Sequence, residues 1–134
     1  MIQWVGPLNS GAAAGVAGSA TANASSNHKL QGKVHAVYVK YNDAPPAGTT
    51  DVTVATVGAA PHVPAITILS IANAATDVLK YPRVQVHGTD GAALTMDGTR
   101  ILTDKIAIDD SVKVTIAQAD AADNVDVWLC LESD

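Results

Sequence analysis

The sequence predicts an all-β fold: an antiparallel β-sandwich or jelly-roll-like domain of about eight strands, preceded by a small-residue N-terminal arm. Three observations carry this expectation. From Leu30 to Glu132 the chain runs through short segments rich in Val, Ile and Leu alternating with polar residues, broken by turn signals at roughly 8–12-residue spacing. No sustained helical period interrupts them. Residues 1–28, by contrast, contain no Asp, Glu, Lys or Arg and are dominated by Gly, Ala, Ser and Asn. The boundaries that follow are an arm at 1–28 and a sandwich domain at 29–134.

Each element has a local reason. The arm offers Ile2, Trp4 and Val5 and then only small residues, too little apolar surface to offset its own ordering entropy. It is expected to be mobile or to order against a neighbour, and Trp4 favours the second, since Trp is enriched at interfaces. Residues 30–41 form the longest expected strand. Val34, Ala36 and Tyr38 are placed on one face and His35, Val37, Val39 and Tyr41 on the other, so both faces are expected to be covered. Residues 42–50 (NDAPPAGTT) are a loop by their prolines and glycine. Residues 51–57 alternate Val52 and Val54 against Thr53 and Ala55, residues 58–64 are a second loop, and 65–71 a third strand.

A short helical turn is expected at 73–77, then a strand at 79–87. Asp90-Gly91 and Asp97-Gly98 are hairpin signals flanking the segment 92–96, and 100–103 completes that meander. Asp109-Asp110 opens a strand at 111–118 with Val112, Val114 and Ile116 inward. After a turn at 120–124, residues 125–132 close the domain with Val125, Val127, Leu129 and Leu131 inward.

Composition bounds the function. A chain of 134 residues is one domain in size, and much of its 48% hydrophobic content is Ala, with no Phe, two Trp and three Tyr. The core is therefore expected from Val, Ile and Leu. Thirteen acidic against eight basic side chains give a net charge of −5, with no Lys/Arg cluster, which argues against nucleic acid as a partner. Cys130 is the sole cysteine, so no intrachain disulfide is expected. The first basic residue is Lys29, and the early apolar residues are diluted, so no secretory leader and no membrane span are expected. The expectation is a soluble protein made in the cytoplasm.

Candidate chemistry is sparse. His28, His35, His62 and His87 match no zinc spacing and are read as four separate side chains. Asp120, Asp123 and Asp126, like Asp109-Asp110, lack the glycine and terminal Glu of a calcium loop and are read as solvated turn carboxylates. Glu132 is the only Glu, which disfavours a paired-carboxylate glycosidase, and no G-x-S-x-G nucleophile elbow occurs. No catalytic, cofactor or metal residue is therefore expected. The interface candidates are sharper. In the last strand the face opposite the core carries Trp128 and Cys130 between Asp126 and Glu132, and exposed aromatics anchor interfaces. Tyr81 and Arg83, with Gln85 and His87, form a second mixed polar face suited to a protein or a glycan. Trp4 in the arm completes the set.

Three stretches, VKYNDAPPAGTTDVTVAT (39–56), YPRVQVHGTDGAAL (81–94) and DDSVKVTIAQAD (109–120) with DVWLCLE (126–132), resemble the head decoration, or cement, proteins of tailed bacteriophages. The resemblance is one of overall style over most of the chain. It implies a non-enzymatic virion structural protein on the capsid surface that binds the major capsid protein and stabilises the head. It also implies a homo-oligomer, a trimer above all, with an arm that orders on the shell. No functional residue carries over from it. The alternative expectation is a glycan-binding or fibre/tail-associated β-sandwich module. Against it, the loops at 42–50, 58–64 and 120–124 contain no aromatic residue apart from Tyr41 at one edge.

Overall fold

Strict alternation of β-branched and polar residues is what builds the core. In a computed structural model describing residues 1–42, 46–59 and 62–133, Val112, Val114 and Ile116 are fully buried on one face of their strand while Lys113, Thr115 and Ala117 lie on the other. The same period-two pattern buries Val52 and Val54, and Val125, Val127, Leu129 and Leu131. These residues, with Val34, Val37, Val39, Ile106 and Ile108, form a single cluster between two sheets. The inward-facing alternation expected for 111–118 and 125–132 is observed.

The described residues form eleven strands, all paired antiparallel, and no helix: β1 (Ile2–Asn9), β2 (Ala20–Ser25), β3 (Leu30–Tyr41), β4 (Asp51–Thr56), β5 (Thr67–Ile71), β6 (Val78–Lys80), β7 (Val84–Gln85), β8 (Thr103–Asp104), β9 (Ile106–Asp110), β10 (Val112–Ala119) and β11 (Val125–Glu132). One sheet runs β1-β11-β3-β6, with β9 pairing the first half of β3; the facing sheet runs β2-β10-β4-β5. The all-β sandwich is therefore as expected, with more and shorter strands than the eight anticipated. The loop expectations at 42–50 and 58–64 fall in part outside the described residues.

Five expectations are corrected. The first 28 residues are not a separate arm: β1 pairs β11 and β2 pairs β10, so this segment supplies one edge strand to each sheet. Its poverty in apolar side chains is no obstacle. Edge strands are held by main-chain bonds to a core strand, and Ala13 and Ala20 are small enough to close the core between the two sheets.

In β3 the faces change partway. Cys130 pairs with Ala36 but Leu131 pairs with Val34, leaving His35 as an extra residue. This bulge shifts the phase, so Val34 joins Val37 and Val39 inside while Ala36 and Tyr38 point out. Nearby, Gly32 (φ 136°) lies where a Cβ would sit 2.7 Å from the Glu132 carbonyl oxygen, so the close approach of β3 and β11 here requires glycine.

The helical turn at 73–77 is absent because Asn73 takes a left-handed backbone (φ 51°), with its amide donating to the Asp51 carboxylate at 2.9 Å. The strand anticipated at 79–87 breaks around Pro82, which has no N–H to donate to a ladder, into β6 and β7. Finally, Asp123 is not a solvated turn carboxylate. It is buried, and it accepts bonds from the Ala47 and Asp120 amides at 3.2 and 3.0 Å.

Beyond the sandwich, residues 84–104 form a finger. β7 and β8 pair at its root, and the segment between them folds back so that each of its three passes bonds both others. The Val86 amide donates to the Leu102 carbonyl, Leu102 to Leu94, and Leu94 to Val86, at 3.0, 2.9 and 2.8 Å. The two Asp-Gly turns at its ends are held by their carboxylates: Asp90 accepts from the Ala92 amide, and Asp97 from Thr99 and Arg100. Every residue from 89 to 101 is exposed.

Candidate docking surface

Because side chains alternate across a sheet, the residues that pair across neighbouring strands share a face. On the outer face of the β1-β11-β3-β6 sheet, Trp4 lies opposite Cys130, Trp128 opposite Tyr38, and Tyr38 opposite Leu79. Four adjacent strands thus bring Trp4, Trp128, Tyr38 and Leu79 together around an open pocket of about 320 Å³. The Tyr38 and Trp128 rings lie 5.6 Å apart between centroids, tilted by 43°. Trp4 is 52% exposed and Leu79 is also exposed, so the pocket faces solvent.

The placement of Trp128 depends on β1. The ladder between β1 and β11 slips between Val5 and Leu8. There Gly6 (φ 144°) lies so close to β11 that a Cβ would sit 2.9 Å from Trp128 Cδ1 and 2.8 Å from the Val127 carbonyl oxygen. The bare glycine backbone therefore forms a wall against the indole.

Polar groups bound the face at both ends. The side-chain amides of Asn9 and Asn42 donate to the Asp126 carboxylate at 2.7 and 2.5 Å, and to Asn124 Oδ1 at 3.1 and 3.2 Å. Lys40, which pairs with Asp126 across the ladder, has no ion-pair partner among the described residues. At the other end Lys105 forms an ion pair with Glu132, and its hydrogen bond and charge hold the Glu132 carboxyl below the usual range.

The sequence candidates fall into two groups. Trp4 and Trp128 meet in the pocket, and Cys130 lies on the same face but is only 3% exposed, beneath its neighbours. Tyr81 and Arg83 lie just beyond β6 instead. Tyr81 stands edge-on to the His35 ring at 5.8 Å, and the Arg83 guanidinium donates to the carbonyls of His35 and Pro82 at 3.1 and 2.8 Å. Tyr38 and Leu79 were missed as members of the surface. Tyr38 was grouped with Val34, and the bulge that separates them is a property of the pairing with β11, invisible in β3 alone.

The pocket lining is two indoles, a phenol and an aliphatic chain. It offers apolar and aromatic contact, with no carboxylate, imidazole or thiol at its wall. Among the described residues no three His, Cys, Asp or Glu side chains gather as a metal site would require. No family model matches the chain, and no curated protein or solved structure is similar to it.

Proposed function

We propose that this chain is a non-enzymatic structural protein of a virion, a head decoration or cement protein that self-associates, binds the major capsid protein on the outer shell and stabilises the head. The observation that supports this reading most is where the aromatic side chains go. Of two Trp and three Tyr, only Tyr41 belongs to the core, while Trp4, Tyr38 and Trp128 share one outer sheet face with Tyr81 at its border. A chain that builds its core from Val, Ile and Leu and keeps its aromatics outside is equipped for contact, because such residues dominate the energy of interfaces. The style of its sequence, similar to phage decoration proteins, supplies the choice of partner.

Co-sedimentation with expanded, undecorated capsids from the same source tests this. Binding that saturates at a fixed ratio to capsid subunits, and that Trp4→Ala weakens, is the expected result. A folded protein that stays in the supernatant at every concentration overturns the capsid reading.

One feature favours a second reading, a glycan-binding module of a fibre or tail. Indole and phenol rings around an open pocket are a platform on which sugar rings stack. The lining brings no carboxylate or side-chain amide to orient a sugar, which places this reading second. A glycan array probed with the purified chain discriminates the two.

A further inference from the structure

We propose that the occupant of the aromatic pocket is a second copy of this chain, seated by its finger at residues 84–104, in a heterologous finger-into-pocket contact. This rests on reading the outer face as an association surface, and not on the virion assignment.

Each half of the contact is incomplete alone. The finger exposes Val84, Leu94, Met96 and Ile101 to water, with Met96 at 69%, and has no core of its own to put them in. Small antiparallel ribbons without a covered apolar face are marginal in water. The finger comprises about as many residues as one side of a standard interface, roughly 20–30. Nor does it fill its own chain's pocket, since residues 89–101 are all exposed.

The pocket, in turn, suits what the finger carries. Its volume of about 320 Å³ accommodates one or two aliphatic side chains between rings. An unbranched thioether fits such a place well, because sulfur makes favourable contacts with aromatic rings. Charge points the same way. The finger holds Asp90, Asp97 and Asp104 against one Arg, and that Arg100 is paired with Asp97 at 3.0 Å, leaving Asp90 without a cation. On the pocket's face, Lys40 has no ion-pair partner among the described residues, and the Asp126 opposite it is bonded by two Asn side chains. Lys40 thus offers the finger's carboxylates a cation at the pocket's border.

Finger and pocket are different surfaces, so the contact is head-to-tail. It closes into a ring if the rotation allows and otherwise runs on as an open chain.

Analytical ultracentrifugation of the full chain at about 100 µM, above the dissociation constants of ordinary standard-size interfaces, tests this. The wild type is expected to sediment as an oligomer. Met96→Asp in the finger and Trp4→Ala in the pocket are each expected to weaken association at least about 10-fold, as loss of a central anchor does. Their mixture is the decisive arm. One intact finger and one intact pocket remain, so the mixed sample is expected to form a dimer that neither variant forms alone. Circular dichroism confirms that both variants keep the wild-type fold, which their exposed positions permit.

Single variants that oligomerise like the wild type, or a mixture that stays monomeric, overturn the contact. So does a wild type that is monomeric throughout. In that case capsid co-sedimentation separates the two ideas: binding lost in Trp4→Ala keeps the outer face as the association surface with the shell as its occupant. Binding retained removes both.

Discussion

The sandwich and the finger are written in the same alphabet of alternating residues and Asp-Gly turns, yet they are held by different physics. In β10 and β11 each second side chain is sealed between two sheets. In residues 89–101 none is. The body therefore owes its order to burial at roughly 25 cal/mol per Å² of apolar surface, and the finger to short main-chain bonds and carboxylate-held turns, each worth about 1 kcal/mol net. A strand pattern thus specifies local geometry, and the presence or absence of a second layer decides how firmly that geometry is kept.

Substitutions in the two regions should separate accordingly. The largest effect is expected from Ile116→Ala, a fully buried position, at a cost of about 2–5 kcal/mol in urea unfolding. Next is Gly6→Ala, where a positive φ and the contacts with Val127 and Trp128 predict a loss of about 1–3 kcal/mol in the same measurement. Replacing residues 84–104 by a short Gly-Ser linker should cost the monomeric body less than about 1 kcal/mol, because no residue of the finger joins the core cluster. A cooperative collapse of the sandwich on that deletion would show the two regions to be one unit.

The smallest effects are those of pH, and they have opposite signs in the two regions. Burial, and then the charges of Asp77 and Asp51, raise the pKa of Tyr41 in the body. With its folded value above the unfolded one, its contribution is fully present below about pH 10 and lost as pH rises through the folded value. In the finger, amide bonds from Arg100 first and Thr99 second lower the pKa of Asp97. Its contribution is present above about pH 4 and lost as pH falls through its folded value. Acid titration by NMR should therefore disturb the Thr99 and Arg100 amides while the β10 signals stay in place. Alkaline titration followed by circular dichroism should unsettle the body, and less so in Tyr41→Phe.

What the sequence made legible was whatever depends on a strict period of two. Val112, Val114 and Ile116 and the Val125-to-Leu131 series were readable because nothing interrupts their phase. The rest depended on pairings between distant segments. The bulge at His35 is fixed by the register of β3 against β11, and it reverses the faces on either side. The segment Ala20–Ser25 carries almost no apolar signal, since its place as β2 comes from main-chain bonds to β10. Only the strand at 111–118 was legible here, and Ile106–Asp110 is a further strand because the chain passes from one sheet to the other between them. The pocket was legible only in part. Trp4 and Trp128 were singled out as exposed aromatics, but their meeting with Tyr38 and Leu79 joins four strands whose order in the sheet no local pattern records.

The distribution of aromatic rings also has an optical consequence. Both indoles stand on the outer face, one half in water and the other against Gly6, while the core holds no Trp at all. Ultraviolet-excited emission from this chain therefore comes from that face. When a partner displaces water there, the spectrum should shift toward the blue without any label, and a ligand bound elsewhere should leave its colour unchanged. The molecule carries its own lamp at the place where its company is decided.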